Sequence, residues 1–212
     1  MGAMATVKPD VHSRAALAWL QPRPLSPVLG PLPPAEQEVL RCHGLDEALF
    51  VEVLGEQVPR DLVSSPPARA RLLAGRVPHT MVPHGATALW VHTGLRPPRV
   101  LRLSTPHRLG PWRSLDLRQV TLEEEDLTEV AGLTCATVER AAVDVAREDP
   151  PLAAVEAIIA AREAGATRTG LYRALGRCPR GSRGAPRARR LIDELVPPRR
   201  TRRTIPTRPP SR

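Results

Sequence analysis

The stretch GLTCATVERAAVDVAREDPPLAAVEAIIAAREAGATRTGLYRAL, residues 132–175, decides the fold class. After Gly132 its apolar residues return at helical spacing. Val138, Ala141, Ala142 and Val145 follow the i, i+3, i+4, i+7 rule, with Thr137 placed as N-cap. Asp149 is placed to cap the next helix, with Pro150 and Pro151 in its first turn and Leu152, Val155, Ile158 and Ile159 as its buried face. Gly165 ends that helix, and Thr167 opens a third that runs through Leu175. A fourth, from about Pro186 to Leu195, carries Leu191, Ile192 and Leu195 behind an arginine-rich face.

Upstream the period shortens. RVLRLS (99–104) alternates apolar and charged residues, as a half-buried strand does, and SLDLRQV (114–120) and LFVEV (49–53) read as further strands. GATALWVHTG (85–94) fits a short helix bounded by glycines, with Ala88, Leu89 and His92 on one side. Pro66 and Pro67 introduce the helix ARARLLAG, ended by Gly75. One helix starts near Pro34 and carries Leu40, and another candidate spans 13–20; the proline-rich QPRPLSPVLGPLPP forbids continuous regular structure between them. Strands followed by a run of helices imply an α+β fold, a small β-sheet packed with a C-terminal group of about four helices. The expected division is a proline-broken region at 1–65 (a candidate degenerate winged helix), a core at 66–195, and a disordered basic tail at 196–212.

Charge is distributed unevenly. The chain carries a formal +9, and its basic residues are thirty arginines and one lysine, Lys8. A skew that strong reflects a GC-rich coding bias, so position is more informative than number. Residues 177–212 hold twelve arginines against Asp193 and Glu194, a net +10, so residues 1–176 sum to −1. A neutral body with a polycationic end favours an electrostatic role for that end. The acidic run Glu123–Asp126 reads as a solvated edge or as a counterpart to those arginines. Three cysteines far apart (Cys42, Cys135, Cys178), no signal peptide and no long apolar run point to the cytoplasm, with Cys135 a small buried hydrophobe.

Two features bear on nucleic acid. Counting from Ala157, the fifth residue is Ala161, the ninth Gly165 and the fifteenth Leu171, the small–glycine–apolar spacing of a helix-turn-helix. Its second helix would present Arg168, Thr169, Tyr172 and Arg173 to phosphates and base edges; an ordinary helical hairpin needs the same small residue and glycine. Beyond it, Arg187, Arg189 and Arg190, then Arg199, Arg200, Arg202 and Arg203, can neutralise phosphates, and with no aromatics among them the contact would be indifferent to sequence. His79, His84, His92 and His107 lack zinc-ligand spacing, so no metal or other cofactor is expected. GxSxG, GxxxxGK[ST] and a strand-linked GxGxxG are all missing, and no central lysine is available for a nuclease core, so the chain reads as a non-enzyme.

The segments PHGATALWVHTGLRPP (83–98), PWR (111–113) and VAGLTCATVERAAVDVAR (130–147) resemble the AbiEi family, the antitoxins and transcriptional regulators of type IV toxin–antitoxin systems of actinobacteria. The residues that carry the likeness are His84, Thr87, Ala88, His92 and Gly94, then Gly132, Leu133, Thr134, Arg140, Ala141, Asp144 and Ala146. GSRGAPRARRLIDEL (181–195) resembles a helix of the same family, so the likeness covers about residues 66–195. Members commonly carry an N-terminal winged helix, of which residues 1–60 show no clean version. The resemblance implies a DNA-binding regulator of the antitoxin type, with operator DNA and a nucleotidyltransferase-type toxin encoded nearby as partners. Arg140 and Asp144, one turn apart, read as a structural pair. A protein-interaction module without sequence-specific DNA binding is the alternative.

Overall fold

The computed structural model describes residues 33–42, 44, 46–106, 115–179 and 181–198. The expectations for the helix at 13–20, the loop around Trp112, His107, and Arg199, Arg200, Arg202 and Arg203 fall outside these.

The architecture is α+β. Helix α1 spans Pro34–Cys42, and after a single turn at Asp46–Leu49 come β1 (Phe50–Val53) and β2 (Glu56–Pro59). Helix α2 spans Pro66–Ala74, β3 Val82–Pro83 and α3 Gly85–Thr93. Strands β4 (Leu101–Thr105), β5 (Leu115–Gln119), β6 (Leu127–Val130) and β7 (Leu133–Ala136) follow. The remainder is helical: α4 Val138–Glu148, α5 Pro151–Glu163, α6 Arg168–Gly176 and α7 Ala185–Leu195.

The strands form three small sheets among the described residues rather than one. Antiparallel hairpins β1–β2 and β6–β7 pair Val53 with Glu56 and Val130 with Leu133 across their turns. Strand β4 lies between β3, antiparallel, and β5, parallel. Both hairpins turn on two residues of positive φ, Leu54 (54°) with Gly55 (84°) and Ala131 (49°) with Gly132 (85°). That pairing is the turn geometry whose twist matches the strands it joins.

Helix α4 is the hub, packed by α3, α5, α6 and α7. Every residue from Arg140 to Ala146 is buried, and the alanines at 141, 142 and 146 let its neighbours approach closely. Its start is fixed as expected: Thr137 Oγ1 accepts from the Arg140 amide at 3.3 Å. Ser65 and Thr167 cap α2 and α6 in the same way, and Gly94 closes α3 in the left-handed conformation at φ 77°. One apolar cluster runs through the molecule, from Val53 and Val58 through Leu73, Trp90, Leu103 and Ile158 to Ile192.

Several local expectations are corrected. Asp149 ends α4 rather than capping α5, and its carboxylate accepts from Arg102 at 2.7 Å. The buried face of α5 is Ala154, Ala157, Ile158 and Ala161, while Leu152 is 65% exposed. Strand β4 is more than half-buried: Leu101, Leu103, Ser104 and Thr105 are enclosed, and only Arg102 is partly accessible, held by Asp116 and Asp149. The hairpin β6–β7 lies between the acidic run and the helix at Thr137, where no strand was expected.

Candidate nucleic-acid interface

Helices α5 and α6 turn at Gly165 (φ 98°), with Ala161 and Leu171 fully buried. The two helices nevertheless pack on α4 and α7 rather than on each other. The small–glycine–apolar spacing thus marks a corner of the bundle whose two helices have their main contacts with α4 and α7.

The expected contact residues divide into two groups. Arg168 caps the C-terminus of α7, donating to the carbonyls of Ile192 (3.4 Å), Asp193 (3.2 Å) and Val196 (2.8 Å), and forms an ion pair with the Asp193 carboxylate. Tyr172 donates its hydroxyl to Asp193 Oδ1 at 2.5 Å, and its ring lies 5.4 Å from the guanidinium carbons of both Arg168 and Arg189. Bonding to Asp193 raises the Tyr172 hydroxyl above its usual pKa. Arg168, Tyr172 and Asp193 thus form a latch between α6 and α7. Arg187 is also engaged, its Nε donating to Ala146 O (2.9 Å) and its terminal nitrogen to Asp149 O (2.7 Å) at the end of α4. Thr169 and Arg173 on α6, and Arg189 and Arg190 on α7, remain exposed.

Behind this surface is an ionic network that sequence reasoning found only in part. Arg140 Nε donates to both Asp144 oxygens at 3.1–3.2 Å, the pair expected from their spacing, and its terminal nitrogen donates to Asp126 Oδ2 at 2.6 Å. Asp126 is 0% exposed and also accepts from Arg177, so the solvated-edge reading holds for Glu123, Glu124 and Glu125 but fails for Asp126. Arg147 donates to Asp144 and to Cys178 Sγ at 3.2 Å each. His84 Nδ1 stands 3.6 Å from Asp144 Oδ2, too far for a hydrogen bond. Burial pushes the Asp144 carboxyl up, but His84 and Arg140 outweigh it and hold the group below the usual carboxylate range. The network joins the turn before β6 to α4 and the end of α6. It encloses the carboxylates of Asp126 and Asp144.

Cys135 and His92 come within 3.7 Å, the one approach to a thiol–imidazole pair among the described residues. Burial pushes the thiol up to about 12, and Cys135 is fully enclosed, so no thiolate is available near neutral pH. His92 Nε2 is committed to Ala136 O at 2.8 Å, and burial lowers its pKa despite that bond. Among the described residues no group of three or more His, Cys, Asp or Glu side chains could hold a metal, and no helix is long and apolar enough to cross a membrane. Comparison with the profiles of known families, with curated proteins and with solved structures finds no match to this chain.

Proposed function

We propose that the chain is a DNA-binding transcriptional regulator of the antitoxin type that grips the duplex mainly through its phosphates. The observation carrying this reading is the surface of α6 and α7. Arg173, Arg189 and Arg190 are exposed there, Thr169 lies beside them, and Asp193 is bound to Arg168 and Tyr172. Arg173 and Arg190 are available to a polyanion, Arg189 keeps its charge unpaired while stacked on Tyr172, and the arginines beyond residue 198 add to the same charge. With Arg168 and Tyr172 occupied, base reading falls to Thr169 and Arg173. The antitoxin assignment and the nucleotidyltransferase-type toxin as partner rest on the resemblance of residues 83–98 and 130–147. Most of the residues that carry it lie around the α3–α4 contact: Thr87 and Ala88 are buried, as are Arg140, Ala141, Asp144 and Ala146.

The test is a titration of the full chain against a duplex from its own upstream region. Binding at about 50 mM salt that weakens steeply as salt rises is expected. Arg189→Ala with Arg190→Ala should weaken all sequences alike, and Arg173→Ala should alter preference among them. No binding at that salt would refute the reading. A protein partner retained from the host after nuclease treatment would then favour the interaction module.

A further inference from the structure

We infer a second anion site, a pocket for a phosphate group at the junction of β5, α4 and α7. A cleft of about 620 Å³ is lined by Arg118, Arg147, Glu148, Arg183, Gly184 and Arg187. Four guanidinium groups face one carboxylate. The charge is neutralised only in part: Arg147 pairs with Asp144, Arg187 donates to backbone carbonyls, and the exposed Arg183 has no ion-pair partner among the described residues. Arg118 shares Asp116 with Arg102. Arg147 is enclosed, its side chain 8% exposed, and its Nε–H has no hydrogen-bond partner among the described residues.

The backbone adds to the same field. Helix α7, eleven residues long, begins beside this pocket with Gly184 as its N-cap and no side-chain cap; its Ala185 amide is bonded to Ser182 O and Pro186 has no N–H, so its start contributes the positive end of a dipole rather than a set of open donors. Gly184 lets the start of α7 pack directly on the end of α4: at φ 81° a Cβ there would collide with Arg147 O. Among the described residues no aromatic side chain lines the cleft, and guanidinium forks suit phosphate oxygens. The phosphate can belong to a DNA backbone, which would extend the function proposed above, or to a free phosphate-bearing molecule.

Two measurements on the full chain test this. Inorganic phosphate titrated calorimetrically against chloride at constant ionic strength should bind saturably. Binding should fall about tenfold in Arg183→Gln and further in Arg183→Gln with Arg118→Gln, both exposed positions where the fold is insensitive. Duplex binding by the same variants identifies the source. A loss of affinity with a salt slope reduced by about one per arginine places backbone phosphate in the cleft, and unchanged duplex binding assigns it to a free phosphate compound. The absence of both saturable phosphate binding and any change in duplex affinity would overturn the inference. Failure of the α6–α7 surface alone, with phosphate still bound here, would instead refute the function proposed above.

Discussion

Asp126 is a carboxylate with no solvent contact whose two oxygens serve two arginines from different helical elements, Arg140 within α4 and Arg177 at the end of α6. Removing one member of such a set leaves an uncompensated buried charge, which costs far more than an exposed pair is worth. Asp126→Ala should therefore destabilise the fold by about 3–5 kcal/mol in urea unfolding, and a loss below about 1 kcal/mol would show that the network is not tightly coupled. Two groups set the pH response, with the same sign but in separate windows. His92 has a folded pKa lowered by burial from 6.5, so stability is intact above that value and declines as pH falls toward the folded value. The stability from Asp144, depressed below 3.8, is complete above about pH 4 and is lost as pH falls through its folded value. Melting temperature should thus fall in two steps on acidification, and His92→Gln should remove the upper one. Identical wild-type and variant profiles between about pH 7 and 5 would contradict this assignment.

The elements separate what the sequence made legible from what it did not. The helices α2, α3, α4, α6 and α7 were readable because caps, glycines and apolar period agreed at each, as with Thr137, Thr167 and Gly94. The hairpin β6–β7 was not, because its turn is Ala131-Gly132 rather than Asn-Gly or Asp-Gly, and nothing local announces that alanine takes φ 49°. The face of α5 was misread for another reason. Alanines form its buried side against the crowded hub, so the larger Leu152 is turned outward, a reversal of the usual ranking by size. Of the candidate site, the basic surface was legible in the run of arginines. The commitment of Arg168, Tyr172 and Arg187 to helix ends depends on tertiary neighbours 21 to 41 residues away. The turn offers a test: Asn accepts the left-handed conformation more readily than alanine, so Ala131→Asn should stabilise the protein by about 0.5–1 kcal/mol. A neutral or negative change in denaturant midpoint would mean that the strain is relieved in another way.

At the scale of the whole molecule, charge and fold are arranged independently. The body sums to −1 over residues 1–176, and within it arginines such as Arg140, Arg69 and Arg102 are spent on buried carboxylates and carbonyls. Arg69 is an example: its three nitrogens donate to Val63, Val91 and His92 carbonyls, closing the end of α3 from within. Arginines toward the C-terminal end are increasingly free of such duties, from the engaged Arg177 and Arg187 to the exposed Arg189 and Arg190. Past Pro198 six more follow, Arg199, Arg200, Arg202, Arg203, Arg208 and Arg212, with no acidic residue among them. If DNA meets this gradient, the contribution of those six is additive in released counterions, each neutralised phosphate giving about 0.9 in the slope of log affinity against log salt. Ending the chain after Pro198 should flatten that slope by up to about five while leaving the melting temperature unchanged, since every member of the apolar cluster among the described residues is retained. A truncated chain with the full-length slope would place all phosphate contacts within residues 1–198, and Arg173, Arg189 and Arg190, with the cleft of Arg118 and Arg183, would then have to account for the whole salt dependence.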